Sequence, residues 1–123
     1  MKSVVEDIKK GSFKPVYLFY GEEAYLKQQY KNRLKDAVLP EGDTINLSIY
    51  SGKGIDVEEM IAQADTMPFF AEHRLLLIED SGFFKNANQQ LADYIPSIPE
   101  GTIMLFVESE VDKRGKLYKA VNK

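Results

Sequence analysis

The sequence predicts an α/β chain, a three-layer arrangement in which a parallel sheet carries helices on both faces. Three observations lead there. Residues 16–20, 75–78 and 103–107 are apolar throughout, as strands covered on both faces must be. Between them lie stretches whose apolar residues recur at helical spacing. The two kinds alternate along the chain, and that order is met by parallel strands joined through right-handed crossover helices.

Each element has its own signal. Residues 3–10 place Val4, Val5 and Ile8 at helical spacing, and Gly11 is positioned to end that helix. Residues 16–20 form the first strand, closed by Gly21. Residues 23–39 follow as a helix with Leu26, Tyr30, Leu34 and Ala37 in one stripe, stopped by Pro40 and Gly42. Residues 45–50 alternate apolar and polar, which buries one face and places this strand at an edge of the sheet.

After the turn at residues 51–54, Asp56 with Glu59 three residues on starts a helix whose Val57, Met60, Ile61 and Ala64 point inward. Residues 75–78 make a central strand ended by Glu79-Asp80-Ser81-Gly82. A helix over 86–95 turns Ala87, Leu91, Tyr94 and Ile95 to the core, before the loop marked by Pro96, Pro99 and Gly101. The last strand covers 102–107. Residues 113–123 close as a helix with Leu117, Ala120 and Val121 on one side and basic residues on the others, and a crossover helix leading to no strand points to a piece of a longer protein.

Composition narrows the function. A chain of 123 residues fits one domain. Its net charge of −3 argues against holding nucleic acid through an overall field, so any DNA contact would be local or indirect. With no cysteine, disulfides and thiolate metal sites are excluded. The first ten residues are too charged for a signal peptide and no run is apolar enough to span a membrane, so the expected location is the cytoplasm.

Ligands of doubly wound sheets lie at the carboxyl ends of the strands, here near Gly21, Glu79 and Glu108. A phosphate loop needs several glycines and a lysine at the first of these. The chain instead reads Tyr20-Gly21-Glu22-Glu23-Ala24-Tyr25, whose carboxylates repel a triphosphate, so no nucleotide or metal cofactor is expected. Glu22, Glu23 and Asp80 allow an enzymatic alternative, a receiver-like phospho-acceptor dependent on Mg²⁺ or a degenerate nucleotide site. The plainer reading is that these acids are solvated or complement helix dipoles. His73 has no second His or Cys with which to share a metal. Lys113, Arg114, Lys116, Lys119 and Lys123 form a basic stripe, read first as a solvated helix face.

Met67-Pro68-Phe69-Phe70-Ala71 is the remaining feature. It falls between a helix and a strand, where the chain should run over the surface, so its Phe pair must either fold back into the core or face a partner. Spacing leaves both readings open.

Four stretches, in order and spanning nearly the whole chain, resemble the amino-terminal domain of bacterial DNA polymerase III delta subunits. These are residues 15–23, residues 66–75, Leu77-Ile78-Glu79-Asp80 and residues 112–119. The resemblance implies a clamp-loader subunit that binds and helps open the DNA sliding clamp, within a holoenzyme whose activity is DNA-directed DNA polymerase, a nucleotidyltransferase. It implies the AAA+ (P-loop NTPase) fold without a working phosphate loop, no ATP hydrolysis of its own, and strand order 5-1-4-3-2. By position, Phe69 and Phe70 become the plug that enters a clamp pocket, shaped by Met67 and Pro68. The family pattern often opens with a Gln about four residues before the last aromatic; Thr66 stands there, and Gln63 is out of register. Residues 1–123 would then be a truncated clamp-binding domain, with the lid and collar domains that meet other loader subunits absent. DNA would be touched only indirectly or by the full-length chain.

Overall fold

The computed structural model describes residues 2–20, 24–39, 45–69, 72–85, 88–109 and 111–121. Helices α1 (Lys2–Lys10), α2 (Ala24–Val38), α3 (Val57–Ala64), α4 (Gln89–Tyr94) and α5 (Lys116–Val121) alternate with strands β1 (Val16–Phe19), β2 (Leu47–Ser51), β3 (Arg74–Glu79) and β4 (Thr102–Val107). The strands lie in the order β1-β4-β3-β2, every pair parallel, with Val16 and Leu76 both opposite Met104, and Leu47 opposite Leu75. This is the 1-4-3-2 portion of the expected order.

Strand alternation divides the core in two. On one side Tyr17, Phe19, Leu75, Leu77, Ile103 and Leu105 meet Leu34 and Val38 of α2, with Ile8 of α1 at the margin. On the other, Leu76, Ile78, Met104 and Phe106 meet Met60 and Ala64 of α3, Leu91 of α4 and Leu117 of α5. All of β4 and all of β3 except Glu79 are buried, which is why those runs carry no polar alternation. Each large apolar side chain so enclosed contributes roughly 1.5–3 kcal/mol.

The local signals behave as their chemistry requires. Gly11 leaves α1 at φ 68°. The Asp56 carboxylate caps α3 by accepting from the Glu59 N–H at 3.3 Å, and Asn88 caps α4 by accepting from the Leu91 N–H at 2.9 Å.

Several boundaries and faces differ from the sequence reading. In α2, Leu26 and Ala37 are exposed; the buried face runs through Tyr30, Leu34 and Val38, a strict four-residue step that leaves Ala37 about 100° round the helix from Val38. β2 opens at Leu47 because Ile45 and Asn46 form a turn. It is an edge strand as expected, but of its apolar face only Leu47 reaches the core, and Ile49 stays 60% exposed. β1 is the opposite edge, so Val16 and Leu18 are half-buried and Tyr20 is exposed. α4 begins at Gln89, buries Ala92 beside Leu91, and tightens into a single 3-10 turn at Ile95–Ser97, where Pro96 cannot donate; Ala87 lies outside the described residues. α5 begins at Lys116, since Asp112 first makes a turn by accepting from the Arg114 and Gly115 N–H groups.

Candidate protein-interaction site

The connection between α3 and β3 lies at the amino-terminal edge of the sheet and is tied down along its length. At its start, the last carbonyls of α3 lack helical partners and must find others. Thr66 supplies its hydroxyl to Ala62 (2.9 Å) and its N–H to Gln63 (3.1 Å), while the buried hydroxyl of Thr102, at the head of β4, donates to the Ala64 carbonyl at 2.9 Å. The Tyr94 phenol donates to Asp65 Oδ1 at 2.5 Å. Burial first, and then the Asp65 carboxylate, pushes that phenol well above its usual range, so it remains a donor.

At its far end, the Arg74 N–H donates to the Gly101 carbonyl at 2.8 Å. Gly101 has φ 92°, and a Cβ there would stand 3.3 Å from the Glu72 carbonyl oxygen and 3.5 Å from Pro68 Cγ. Only glycine lets the β4 turn pass this close under the loop. Near the middle, Asn46 Oδ1 accepts from the Phe69 N–H at 2.6 Å and Asn46 Nδ2 donates to the Phe69 carbonyl at 2.9 Å.

On this anchored backbone the large side chains face water. Met67 is 81% exposed and Phe69 55% exposed, with Pro68 half-buried against Gly101. Phe70 lies outside the described residues. An exposed aromatic and thioether side by side on a loop held at three places is an unusual use of apolar area for a small domain.

The carboxyl ends of the strands are arranged differently. Gly21, Glu22 and Glu23 lie outside the described residues. Asp80 stands at φ 50° and accepts from the Ser109 hydroxyl at 2.9 Å. Glu108 is buried, and its carboxylate accepts from the Ser81 N–H, the Ser81 hydroxyl and the Gly82 N–H at 3.0–3.3 Å. Burial pushes this carboxyl up, against the pull of the Ser81 and Gly82 donors. A cavity of about 150 Å³ lies here between Lys53, Asp80, Gly82, Glu108 and Ser109. Among the described residues, no three His, Cys, Asp or Glu side chains are grouped to hold a metal ion.

His73 is half-buried with its ring edge-on to Phe13, centroids 5.3 Å apart. Of the basic stripe, Lys113 lies over the Tyr20 ring at 5.6 Å, Arg114 pairs with Asp112, and Lys116 donates to Gln89 at 2.7 Å. Lys119 is exposed, and Lys123 lies outside the described residues.

The family model for the delta subunit of DNA polymerase III matches residues 17–123. The chain belongs to this family. DNA polymerase III subunit delta of Bacillus subtilis (strain 168) is 31% identical over 132 aligned residues, covering 98% of this chain and 38% of the relative. The solved structure of the Bacillus subtilis DNA clamp loader delta protein superposes with a TM-score of 0.86 at 30% identity, over 99% of this chain and 40% of that one. A DNA polymerase III gamma subunit-related protein of Thermotoga maritima shares the fold at 14% identity, with a TM-score of 0.68 over 98% of this chain and 42% of its own. The chain thus spans about two fifths of the length of these delta relatives. Its parallel sheet with helices on both faces is a fold shared with both of these solved structures. Among the described residues, no helix is long and apolar enough to cross a membrane.

Three residues that shape the loop between α3 and β3 escaped the sequence reading. Asn46 looked like the wet side of an edge strand, Thr102 like the first residue of a buried one, and Gly101 like an ordinary turn. The signal for Asn46 was there in weak form: it is the one amide in a run of alternating apolar residues, close to a turn.

Proposed function

We propose that this region is the clamp-binding, amino-terminal domain of a clamp-loader delta subunit that hydrolyses no ATP, and that Met67, Pro68, Phe69 and Phe70 are its contact with the DNA sliding clamp. The observation that carries the reading is Phe69, more than half exposed on a loop whose backbone is already held. The remainder of the protein would supply the lid and collar domains that join other loader subunits, within the cytoplasmic DNA polymerase III holoenzyme. DNA contacts would belong to that larger assembly.

Energetically, burying the exposed part of the Phe69 ring in an apolar pocket contributes about 1–2 kcal/mol, and Met67 and Phe70 add contributions of the same order. Such a cluster is a plausible hot spot for a modest interface. If the domain grips the opened clamp more tightly than the closed one, its binding energy alone biases the ring toward opening. The receiver-like alternative draws no support from Asp80, whose carboxylate is bonded to Ser109, and its Glu22 and Glu23 lie outside the described residues.

Surface plasmon resonance on immobilised clamp tests this with the whole protein and its Phe69→Ala and Phe70→Ala variants. Each substitution is expected to weaken binding about 5- to 30-fold, the equivalent of about 1–2 kcal/mol. Unchanged affinity with an intact circular dichroism spectrum would rule the contact out. Heat on titration with Mg²⁺-ATP or turnover of acetyl phosphate would favour the alternative.

A further inference from the structure

Asn46 stands at the entrance to β2, 1% exposed, with its own carbonyl accepting from the Leu75 N–H at 2.8 Å. Its backbone is therefore bonded to the sheet just ahead of β2, and its side-chain amide is enclosed. An enclosed primary amide is costly unless both its ends are bonded. Both are, and to one residue twenty-three positions later: the oxygen accepts from the Phe69 N–H and the nitrogen donates to the Phe69 carbonyl. The amide thus imitates one rung of a β-ladder, and the rung it completes is the residue that presents the exposed ring.

We infer that Asn46 is the positioning residue of the docking loop, holding the backbone of Phe69 so that the ring is set in its docking posture before the clamp arrives. This rests on the reading of residues 67–70 as the clamp contact. The other anchors, Thr102 on Ala64 and Gly101 on Arg74, hold the loop at its ends. Asn46 acts on the aromatic residue itself. Two consequences follow from the geometry. The loop does not have to be ordered at the moment of binding, so the entropy of fixing it is not subtracted from affinity. The Phe69 N–H is already engaged, so recognition proceeds by inserting side chains into a pocket and not by adding a strand to the partner's sheet.

The test uses the whole protein and the sliding clamp, with Asn46→Ala, the volume-conserving Asn46→Asp, Phe69→Ala and the double variant Asn46→Ala plus Phe69→Ala. Asn46→Asp keeps the acceptor for the Phe69 N–H but turns a carboxylate oxygen toward the Phe69 carbonyl. In Asn46→Ala, which removes the acceptor of the Phe69 N–H, amide exchange at Phe69 is expected to rise about tenfold or more, and in Asn46→Asp, which keeps it, by less. Clamp affinity is expected to fall about tenfold, the penalty when only about a tenth of the molecules hold the binding conformation. Met67 and Phe70 ride on the same backbone, so the double variant is expected to bind more weakly than Phe69→Ala, by no more than the loss seen in Asn46→Ala alone.

Unchanged exchange at Phe69 in Asn46→Ala overturns the proposal. So does wild-type clamp affinity in Asn46→Ala when Phe69→Ala binds more weakly, which would make Asn46 a stabiliser of the fold alone. Unchanged affinity in Phe69→Ala, together with faster exchange in the Asn46 variants, overturns the clamp reading while upholding the hold of Asn46 on the loop.

Discussion

Thr102→Val removes one hydroxyl and keeps the shape of the side chain, so it isolates the bond that fixes the start of the loop between α3 and β3. Thr102 is buried, and its hydroxyl meets the Ala64 carbonyl at 2.9 Å, at the end of α3 where no helical N–H is left to serve it. Stranding a buried carbonyl costs about 1–3 kcal/mol, and the extra methyl of valine in an apolar strand returns less than about 1 kcal/mol, leaving a net loss of about 1–2 kcal/mol. For a domain of this size each kcal/mol moves Tm by about 3–6 °C, so a fall of about 3–12 °C is expected in thermal melts followed by circular dichroism. Amide exchange at Asp65 and Thr66, which close the last turn of α3, should quicken as well. Thr102→Ser retains the hydroxyl and should leave that exchange unchanged, whatever it loses with its methyl. A Val variant that melts with the wild type, with Asp65 and Thr66 equally protected, would refute the anchoring role.

Gly101→Ala should destabilise by about 1–3 kcal/mol, because an L side chain is strained at φ 92° and its Cβ crowds the Glu72 carbonyl; urea unfolding measures it, and a neutral result would show that this turn relaxes freely. Tyr17→Phe should cost about 1 kcal/mol, since the phenol joins α1 to β1 by donating to Asp7 at 2.7 Å and accepting from the Lys14 N–H at 2.9 Å. Burial pushes the Asp7 carboxyl up, but hydrogen bonds from Lys14 and Tyr17 outweigh it and hold the group below its ordinary 3.8. Its stabilisation is accordingly complete above that value and is lost as pH falls through the lower folded one, and Tyr17→Phe should shrink this acid-limb loss in melts taken between about pH 5 and 2. Glu108 runs the other way. Its raised carboxyl keeps its proton in the folded chain after the unfolded chain has lost it, so stability should decline as pH rises from its ordinary 4.5 to the folded value, and Glu108→Gln should flatten that slope.

Much of the architecture was readable from residue patterns, because buried parallel strands and amphipathic crossovers leave strong periodic signals. The continuous apolar runs of β3 and β4 identify the centre of the sheet, and the alternation around Leu47 identifies an edge. Faces were harder where side chains of similar polarity sit side by side: Ala37 and Val38 differ by one position, and only the packing of α2 on the sheet decides which of them turns inward. The segment proposed to dock stood out as two aromatics beside a proline, which is a local signal. What holds it was not visible, because Asn46, Gly101 and Thr102 reach the loop from distant parts of the chain, and a hydrogen bond between residues 46 and 69 leaves no periodic trace in either segment.

The central claim is that the aromatic tip of this loop leaves water for a pocket on the sliding clamp. Fluorine NMR of the whole protein carrying 4-fluorophenylalanine at position 69 measures it directly, through the resonance and its response to a soluble paramagnetic agent. On saturation with clamp, the account predicts a shifted resonance that the agent no longer broadens. A resonance at the same position, broadened as before while the clamp is bound, would contradict it.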